Sequence, residues 1–511
     1  MRYCLRVEQD FLLFPILPHS KEREVLIFLN GNKIYHFHAA LWTKAAQTEE
    51  ILYGELPVRA LRGEKIEIEI RPLDDTETVS LRQSDSLQQR KEEYYPYLHF
   101  TPKLGHMNDP NGLCFYKGEY HLFFQHNLFD IKWNNIGWGH AVSHDLLHWR
   151  QVEEALMPDE DGEAYSGCAV ENTDGRMPDC PAGALLLFYT CAGGKMGWSD
   201  ETSFTQKVAW SLDGRTFTKL DRPVIPHIVG ENRDPKVDWN EESGSYYMAL
   251  FLDGHEYGIF RSGNMREWEL TQRLTIEESW ECPDLVRVPV RGQEQKKWMF
   301  WTPDGYYLVG EFDGRQFLAV QETKKIYGNI REERKSYAAQ TFWGLPDRAV
   351  QIPWLTVGES AGRYSGMMGL PRELELIRKE EEYVLAAHLV REFYDGETRL
   401  WDKEITGESR FTWTEKGVVM LQVRNRGNDS FVIEFAGTTV AWEKESGTLK
   451  IGGLSPASHD KMEDMVLTAD KGILEIGCNA DTICYFTELE EDFPGEVVIK
   501  GRLQALVGVV L

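Results

Sequence analysis

The sequence predicts an all-β protein: a five-bladed β-propeller followed by a C-terminal β-sandwich, with an extra small N-terminal β domain. Three observations carry this. Apolar runs such as Val25-Leu26-Ile27-Phe28-Leu29 and Tyr120-His121-Leu122-Phe123-Phe124 are short, aromatic or β-branched, and bounded by Gly, Asp, Asn and Pro, as strands are. Helical patterns of two or more turns are scarce. A seven-residue pattern also recurs at long, near-even intervals between residues 98 and 380.

The first 92 residues read as a small β domain plus linker. Asn30-Gly31 separates two strand-like runs, the strongest short hairpin signal. Lys65-Ile66-Glu67-Ile68-Glu69-Ile70 alternates strictly, so a second strand with one buried face is expected there. The polar stretch 73–93 holds few apolar residues and reads as the linker.

The recurring pattern starts at Ser143, Ser211, Ser262 and Glu311. Its third place holds Asp145, Asp213, Asn264 and Asp313, and its seventh holds Trp149, Phe217, Trp268 and Phe317. The starts differ by 68, 51 and 49 residues. Asp-Gly turns also recur by chance in β proteins, but a period near 50 with strand-like filling suggests four-stranded propeller blades. A fifth blade fits around residues 337–370. The propeller is expected over 98–380, and short strands from 385 to 511 suggest a sandwich.

Composition narrows the function. There are 56 Lys+Arg against 82 Asp+Glu, a formal net charge of −26. With no basic stripe, nucleic acid is a poor partner, as is an anionic membrane surface. The apolar share of 42% is that of a globular protein. No apolar segment reaches the length of a membrane-crossing helix. The early run at 11–17 lacks a basic flank and a cleavage site. The expectation is a cytoplasmic protein whose eight cysteines are reduced thiols. They form no C-x-x-C pair, no acidic stretch has calcium-loop spacing, and no cofactor or metal is called for. Oligomeric state is not legible.

Three acidic turns lie in the propeller region: Asn108-Asp109-Pro110-Asn111-Gly112, Arg233-Asp234-Pro235 and Glu281-Cys282-Pro283-Asp284. Any one alone is a common turn. Asp109, Asp234 and Glu281 however precede their repeat markers by 34, 28 and 30 residues. Equivalent early positions in propeller blades converge on the central channel. Carboxylates gathered there repel one another and lose water, so at least one pKa should rise. One protonated and one ionised carboxyl are the apparatus of glycoside hydrolysis. Metal binding by the three acids is the competing reading.

These motifs carry a resemblance. His106 to Gly112 resembles the W-M-N-D-P-N-G signature of glycoside hydrolase family 32, the invertases, inulinases, levanases and related β-fructosidases. Arg233-Asp234-Pro235 and Glu281-Cys282 match its R-D-P and E-C motifs, and Trp138-Gly139-His140-Ala141, Tyr165-Ser166-Gly167 and Leu370-Pro371-Arg372-Glu373 match further segments in order. The resemblance covers about residues 98–511 and implies a retaining mechanism. Asp109 would be the nucleophile, Glu281 the acid and base, and Asp234 the transition-state stabiliser. The reacting carboxyls would stand about 5–5.5 Å apart. Cys282 would tune the acid, and Asn108, Gln125, Trp133, Ser166 and Arg233 would line the fructose pocket. Taken alone, Cys282 and Trp133 serve equally as core residues, and Arg233 as a structural partner of a carboxylate.

The implied activity is release of terminal β-D-fructofuranosyl units from sucrose or short fructans. A fructosyltransferase on the same scaffold and a non-catalytic sugar-binding propeller are the alternatives. The sequence departs from the family at His106, where Trp is usual, at Lys335-Ser336 and at Gln351-Ile352-Pro353-Trp354. These departures bear on subsite specificity and leave the three acids in place.

Overall fold

The computed structural model describes residues 2–44, 51–73, 77–360, 362–489 and 495–511. Among them, strands account for nearly every regular element, and the one α-helix spans Arg391–Asp395.

The N-terminal region folds as two facing sheets. One orders Arg2–Arg6, Lys65–Arg71, Glu22–Leu29 and Asn32–Ala40; the other orders Leu52–Pro57, Phe11–Ile16 and Arg82–Ser84. The expected hairpin is present. Asn30 (φ 53°) and Gly31 (φ 83°) form its two-residue turn, the left-handed pair that matches strand twist. The alternation at 65–71 buries Ile66, Ile68 and Ile70 against Phe14, Ile16 and Leu56. The stretch expected as linker is partly structural. Arg82–Ser84 pairs with Phe11, Leu12 and Leu13, and Val79 joins the core. A three-residue edge strand with one wet face has no apolar run to announce it.

The central region is built from antiparallel meanders. Glu163–Glu171, Arg233–Asn240 and Asp284–Pro289 each open a separate sheet that steps outward in chain order. Gly105–Tyr116 opens another, and its neighbour Tyr364–Met368 runs parallel to it, pairing Tyr364 with Gly105 and Ser365 with His106. That pairing joins the first and last meanders into one nine-stranded sheet. The segment expected as a fifth blade is therefore continuous with the first. The sheet also holds the hairpin Arg372–Lys379 and Glu382–Leu389, so it runs past residue 380, where the propeller was expected to end.

The repeat has a physical basis. In every copy the third residue accepts two backbone N–H groups: Asp145 from Leu147 and His148, Asp213 from Arg215 and Thr216, Asn264 from Arg266 and Glu267, Asp313 from Arg315 and Gln316. This is the Asx turn. It links the third strand of each meander to the fourth, and the aromatic at the seventh place packs into the adjoining core.

After the helix, ten strands form a sheet that folds over its own core, centred on Leu421, Ile433, Leu467 and Ile499. In Glu397–Thr412, Trp401 and Phe411 are ten positions apart, yet their rings stack at 5.2 Å. The strand must bend sharply between them. Gly407 (φ 96°) pairs with Gly501 (φ 149°) there, where a side chain would be strained.

A buried ionic cluster fastens this sandwich to the propeller. His99 contacts Asp470 at 3.0 Å and Glu475 at 2.9 Å, and Arg372 donates to Glu475 at 2.6 Å. Burial alone would push His99 down, but the two carboxylates lift it to about 9. Burial would raise Glu475, but Arg372 and His99 bring it to about 2.

Candidate active site

The first strands of successive meanders abut one another, and four of them carry a register irregularity at the same end. The breaks lie between Met107 and Pro110, Tyr165 and Gly167, Arg233 and Lys236, and Tyr337 and Gln340. Bulges re-aim side chains out of the ladder. Asn108, Asp109, Ser166 and Asp234 all sit in them. The remaining first strand delivers its residues just before it begins, with Glu281 (φ 50°) and Cys282 (φ 39°) in the left-handed region, as is Asp234 (φ 64°). Such conformations are costly for non-glycine residues and collect at functional sites.

These strand ends meet around a small recess lined by Asp109, Ser166, Asp234, Cys282, Pro283 and Gln340. Asp109 Oδ2 accepts from Ser166 Oγ at 2.6 Å and from Gln125 Nε2 at 3.4 Å, and Oδ1 accepts from Asn108 at 3.3 Å. Asn108 also donates to Gln125 at 2.6 Å, and Gln125 donates to Ser166. Neutral donors thus surround this carboxyl. Burial, then the nearby Glu281 carboxylate, push it up to about 6. It remains mostly ionised at neutral pH.

Asp234 Oδ2 accepts from the Cys282 N–H at 3.0 Å, while the Asp234 N–H donates to Thr190 at 2.9 Å. Burial raises this carboxyl too, against the opposing pull of Arg233. The Cys282 sulfur stands 3.5 Å from Asp109 and 3.4 Å from Asp234. Burial and those two carboxylates hold it well above the usual thiol range, so it is a neutral donor.

Glu281 is held differently. Arg233 Nη2 donates to its Oε2 at 2.9 Å, and the Tyr337 hydroxyl donates to its Oε1 at 2.5 Å. Burial and Glu281 itself keep the phenol protonated. Arg233 lies over Phe251 at 4.7 Å and 5.8 Å from the ring of Trp280, which is 48% exposed.

Asp234, Glu281 and Cys282 present donor atoms within 4.8 Å of one another. The set fits a metal poorly. Arg233, 3.6 Å from Asp234, already supplies the counter-charge, and the sulfur donor is a protonated thiol.

The structure therefore brings together Asn108, Asp109, Gln125, Ser166, Arg233, Asp234, Glu281 and Cys282. Trp133 stands outside, 51% exposed at the rim, edge-on to Tyr165 at 5.8 Å. His106 turns away to Ser365 Oγ at 2.8 Å, and burial pushes it down to about 4, so it is neutral. Sequence reasoning missed Tyr337 and Thr190 as site residues. It also missed a polar knot beneath the recess, where Asp284 contacts Lys236 at 3.1 Å and accepts from the Thr341 hydroxyl at 2.8 Å. Lys236 directly follows the second acidic motif and Asp284 ends the third, which was the available signal. Thr190 sits in a plain apolar strand with none.

A sequence profile of the Glycosyl hydrolases family 32 N-terminal domain matches residues 99–387. The chain belongs to glycoside hydrolase family 32. It is 35% identical over 319 residues to a levanase of Bacillus subtilis, covering 56% of this chain and 45% of that protein. It is 35% identical over 337 residues to an extracellular exo-inulinase of Aspergillus awamori, covering 55% and 62%. It is 32% identical over 329 residues to a sucrose-6-phosphate hydrolase of Zymomonas mobilis, covering 56% and 60%. The matches thus span about half of the length of these relatives. Among solved structures, the A. awamori exo-inulinase superposes with a TM-score of 0.71 at 21% identity over 82% of this chain and 98% of that one. A family 32 protein of Bifidobacterium adolescentis superposes with a TM-score of 0.68 at 20% identity over 100% and 99%. This is the family 32 fold, a propeller followed by a sandwich.

Proposed function

We propose that this chain is a retaining β-fructofuranosidase that releases terminal β-D-fructofuranosyl units from sucrose or short fructans. One observation carries the reading: two carboxyls at one recess are held by opposite means. Asp109 is buried among neutral donors that support it as an ionised nucleophile. Glu281, whose side chain is partly exposed, has one oxygen held by the Tyr337 hydroxyl and the other by Arg233, so that it is open to a leaving oxygen from outside.

In the first step an Asp109 oxygen attacks the anomeric carbon of fructose. The bond to the leaving oxygen breaks, and Glu281 gives that oxygen its proton. In the second step Glu281 takes a proton from water. The resulting hydroxide displaces Asp109 and restores both carboxyls. Asp234, fixed by the Cys282 N–H on its carboxylate and by the Thr190 hydroxyl on its own N–H, receives fructose hydroxyls and faces the positive charge that develops on the ring. The neutral Cys282 thiol lies between Asp109 and Asp234 and moderates their repulsion by donating to one of them. The named activities of the relatives, on levan, inulin and sucrose 6-phosphate, support a fructoside substrate.

The test is a product profile with sucrose, short fructo-oligosaccharides, inulin and levan, run with the parent and Asp109→Asn. Equal release of glucose and fructose from sucrose, abolished by Asp109→Asn, is expected. New oligosaccharide in place of free fructose would make it a transferase. Fructose release that survives Asp109→Asn would refute the mechanism.

A further inference from the structure

The N-terminal hairpin Glu22–Leu29 and Asn32–Ala40 rests against two loops that border the recess. One, residues 128–136, carries Trp133. Phe37 stacks on Phe129 of this loop at 3.8 Å with 9° between the rings. The Ala40 N–H donates to the Phe129 carbonyl at 3.2 Å. The Asn135 side chain takes up both backbone groups of His38, each at 2.8 Å.

The other loop, residues 193–204, reaches the catalytic side through Lys195. Its ammonium donates to Glu231 at 2.5 Å, and Glu231 stands 3.7 Å from Arg233, the partner of Glu281. Three residues further on, Trp198 meets the hairpin. Lys33 Nζ lies 5.2 Å from the centre of the indole, and the His36 ring lies 6.4 Å from it. Three residues of extended chain span at most about 11 Å. Both loops also converge on Tyr165, next to Ser166 in the recess, through Trp133 at 5.8 Å and Phe204 at 5.8 Å.

Each group here has chemistry that suits a sugar. Trp198 and Lys33 are only partly buried, and an indole offers a flat apolar surface to ring C–H groups. Among the described residues the Lys33 ammonium meets that indole and forms no ion pair with a carboxylate, which leaves its protons for hydroxyl oxygens. His38 uses its backbone to hold Asn135 and keeps a partly exposed ring.

We propose that Lys33, His38 and Trp198 form an outer sugar subsite, so that the N-terminal domain is a wall of the substrate cleft. It takes the distal ring of a neutral oligosaccharide whose fructosyl end lies against Asp109. This rests on the fructosidase reading for the position of that end.

The test measures binding by titration calorimetry, with the full chain carrying Asp109→Asn to block turnover. The probes are sucrose and a β-2,1-linked fructosyl tetrasaccharide. Trp198→Ala and, separately, Lys33→Gln should each weaken tetrasaccharide binding about five- to tenfold, the scale of one lost stacking contact. The loss on sucrose should be distinctly smaller. Equal losses on both sugars, no loss in either variant, or a parent that does not bind the tetrasaccharide would overturn the subsite. Lys33→Gln keeps the test decisive if Trp198→Ala fails to fold. Tetrasaccharide binding that depends on Trp198, in a protein whose parent releases no fructose, would sink the fructosidase reading and leave the subsite standing.

Discussion

Ser166→Ala removes the shortest hydrogen bond to Asp109, the hydroxyl contact at 2.6 Å. That carboxyl is already pushed up to about 6 by burial and by Glu281. A hydrogen bond to a charged group contributes about 1.5–3 kcal/mol, and one pH unit corresponds to about 1.36 kcal/mol. Gln125 remains at 3.4 Å and Asn108 at 3.3 Å, and water can occupy the vacated space, so the lower end applies. The carboxyl should rise by about one unit, to near 7. A nucleophile acts only when ionised, so activity disappears as pH falls through that value. The acidic limb of kcat/KM on sucrose, measured from acid to mildly alkaline pH, should therefore move upward by about one unit. A limb that stays in place or moves down would show that Asp109 does not set it.

Other expectations follow from the same contacts. Asp109 sits at about 6 in the folded protein against 3.8 when free, so ionising it costs stability that is lost as pH rises from about 4 to 6. Asp109→Asn should raise stability by on the order of 2–3 kcal/mol at neutral pH and by little near pH 3.5, read by denaturant unfolding. Tyr337→Phe removes the 2.5 Å donor to Glu281. It should lower kcat on sucrose roughly tenfold or more and less on a fructoside with a good leaving group; equal losses would count against the acid role of Glu281. His99→Gln should destabilise the chain by about 3–5 kcal/mol, because it leaves Asp470 buried without its cation and Glu475 with Arg372 alone. The His99 contribution is full below about 6.5 and lost as pH rises through about 9. That of Glu475 is full above about 4.5 and lost as pH falls through about 2. The penalty should therefore be largest between about pH 4.5 and 6.5, and a penalty independent of pH would refute the ionic account.

Local chemistry was legible from residue order because its causes are local. The Asx turns follow from Asp145, Asp213, Asn264 and Asp313 bonding backbone two and three positions on. The Asn30-Gly31 hairpin follows from two residues that tolerate positive φ, and the burial of Ile66, Ile68 and Ile70 follows from period-two alternation. Even the gathering of Asp109, Asp234 and Glu281 was visible, because near-equal offsets in a closed repeat converge. Arg82–Ser84 escaped notice because an edge strand with one solvated face needs no apolar run. The first sheet runs past residue 380 because the hairpin Arg372–Lys379 and Glu382–Leu389 pairs with it, Val350 with Glu373 and Gln351 with Arg372, a contact that no local pattern announces.

What the sequence by itself determined was the strands that carry an apolar run, the turns between them, the repeat that makes a propeller, and the three acids at one phase of it. Tertiary structure decided how each acid is held. It set Asp109 among Ser166, Gln125 and Asn108, and it set Glu281 between Arg233 and Tyr337. It also decided that a hairpin more than 90 residues before Asn135 would grip the loop carrying Trp133. The reason is physical. A carboxyl's proton affinity depends on the water removed from it and on the dipoles aimed at it, and both arrive from strands that are neighbours only after the chain has closed on itself.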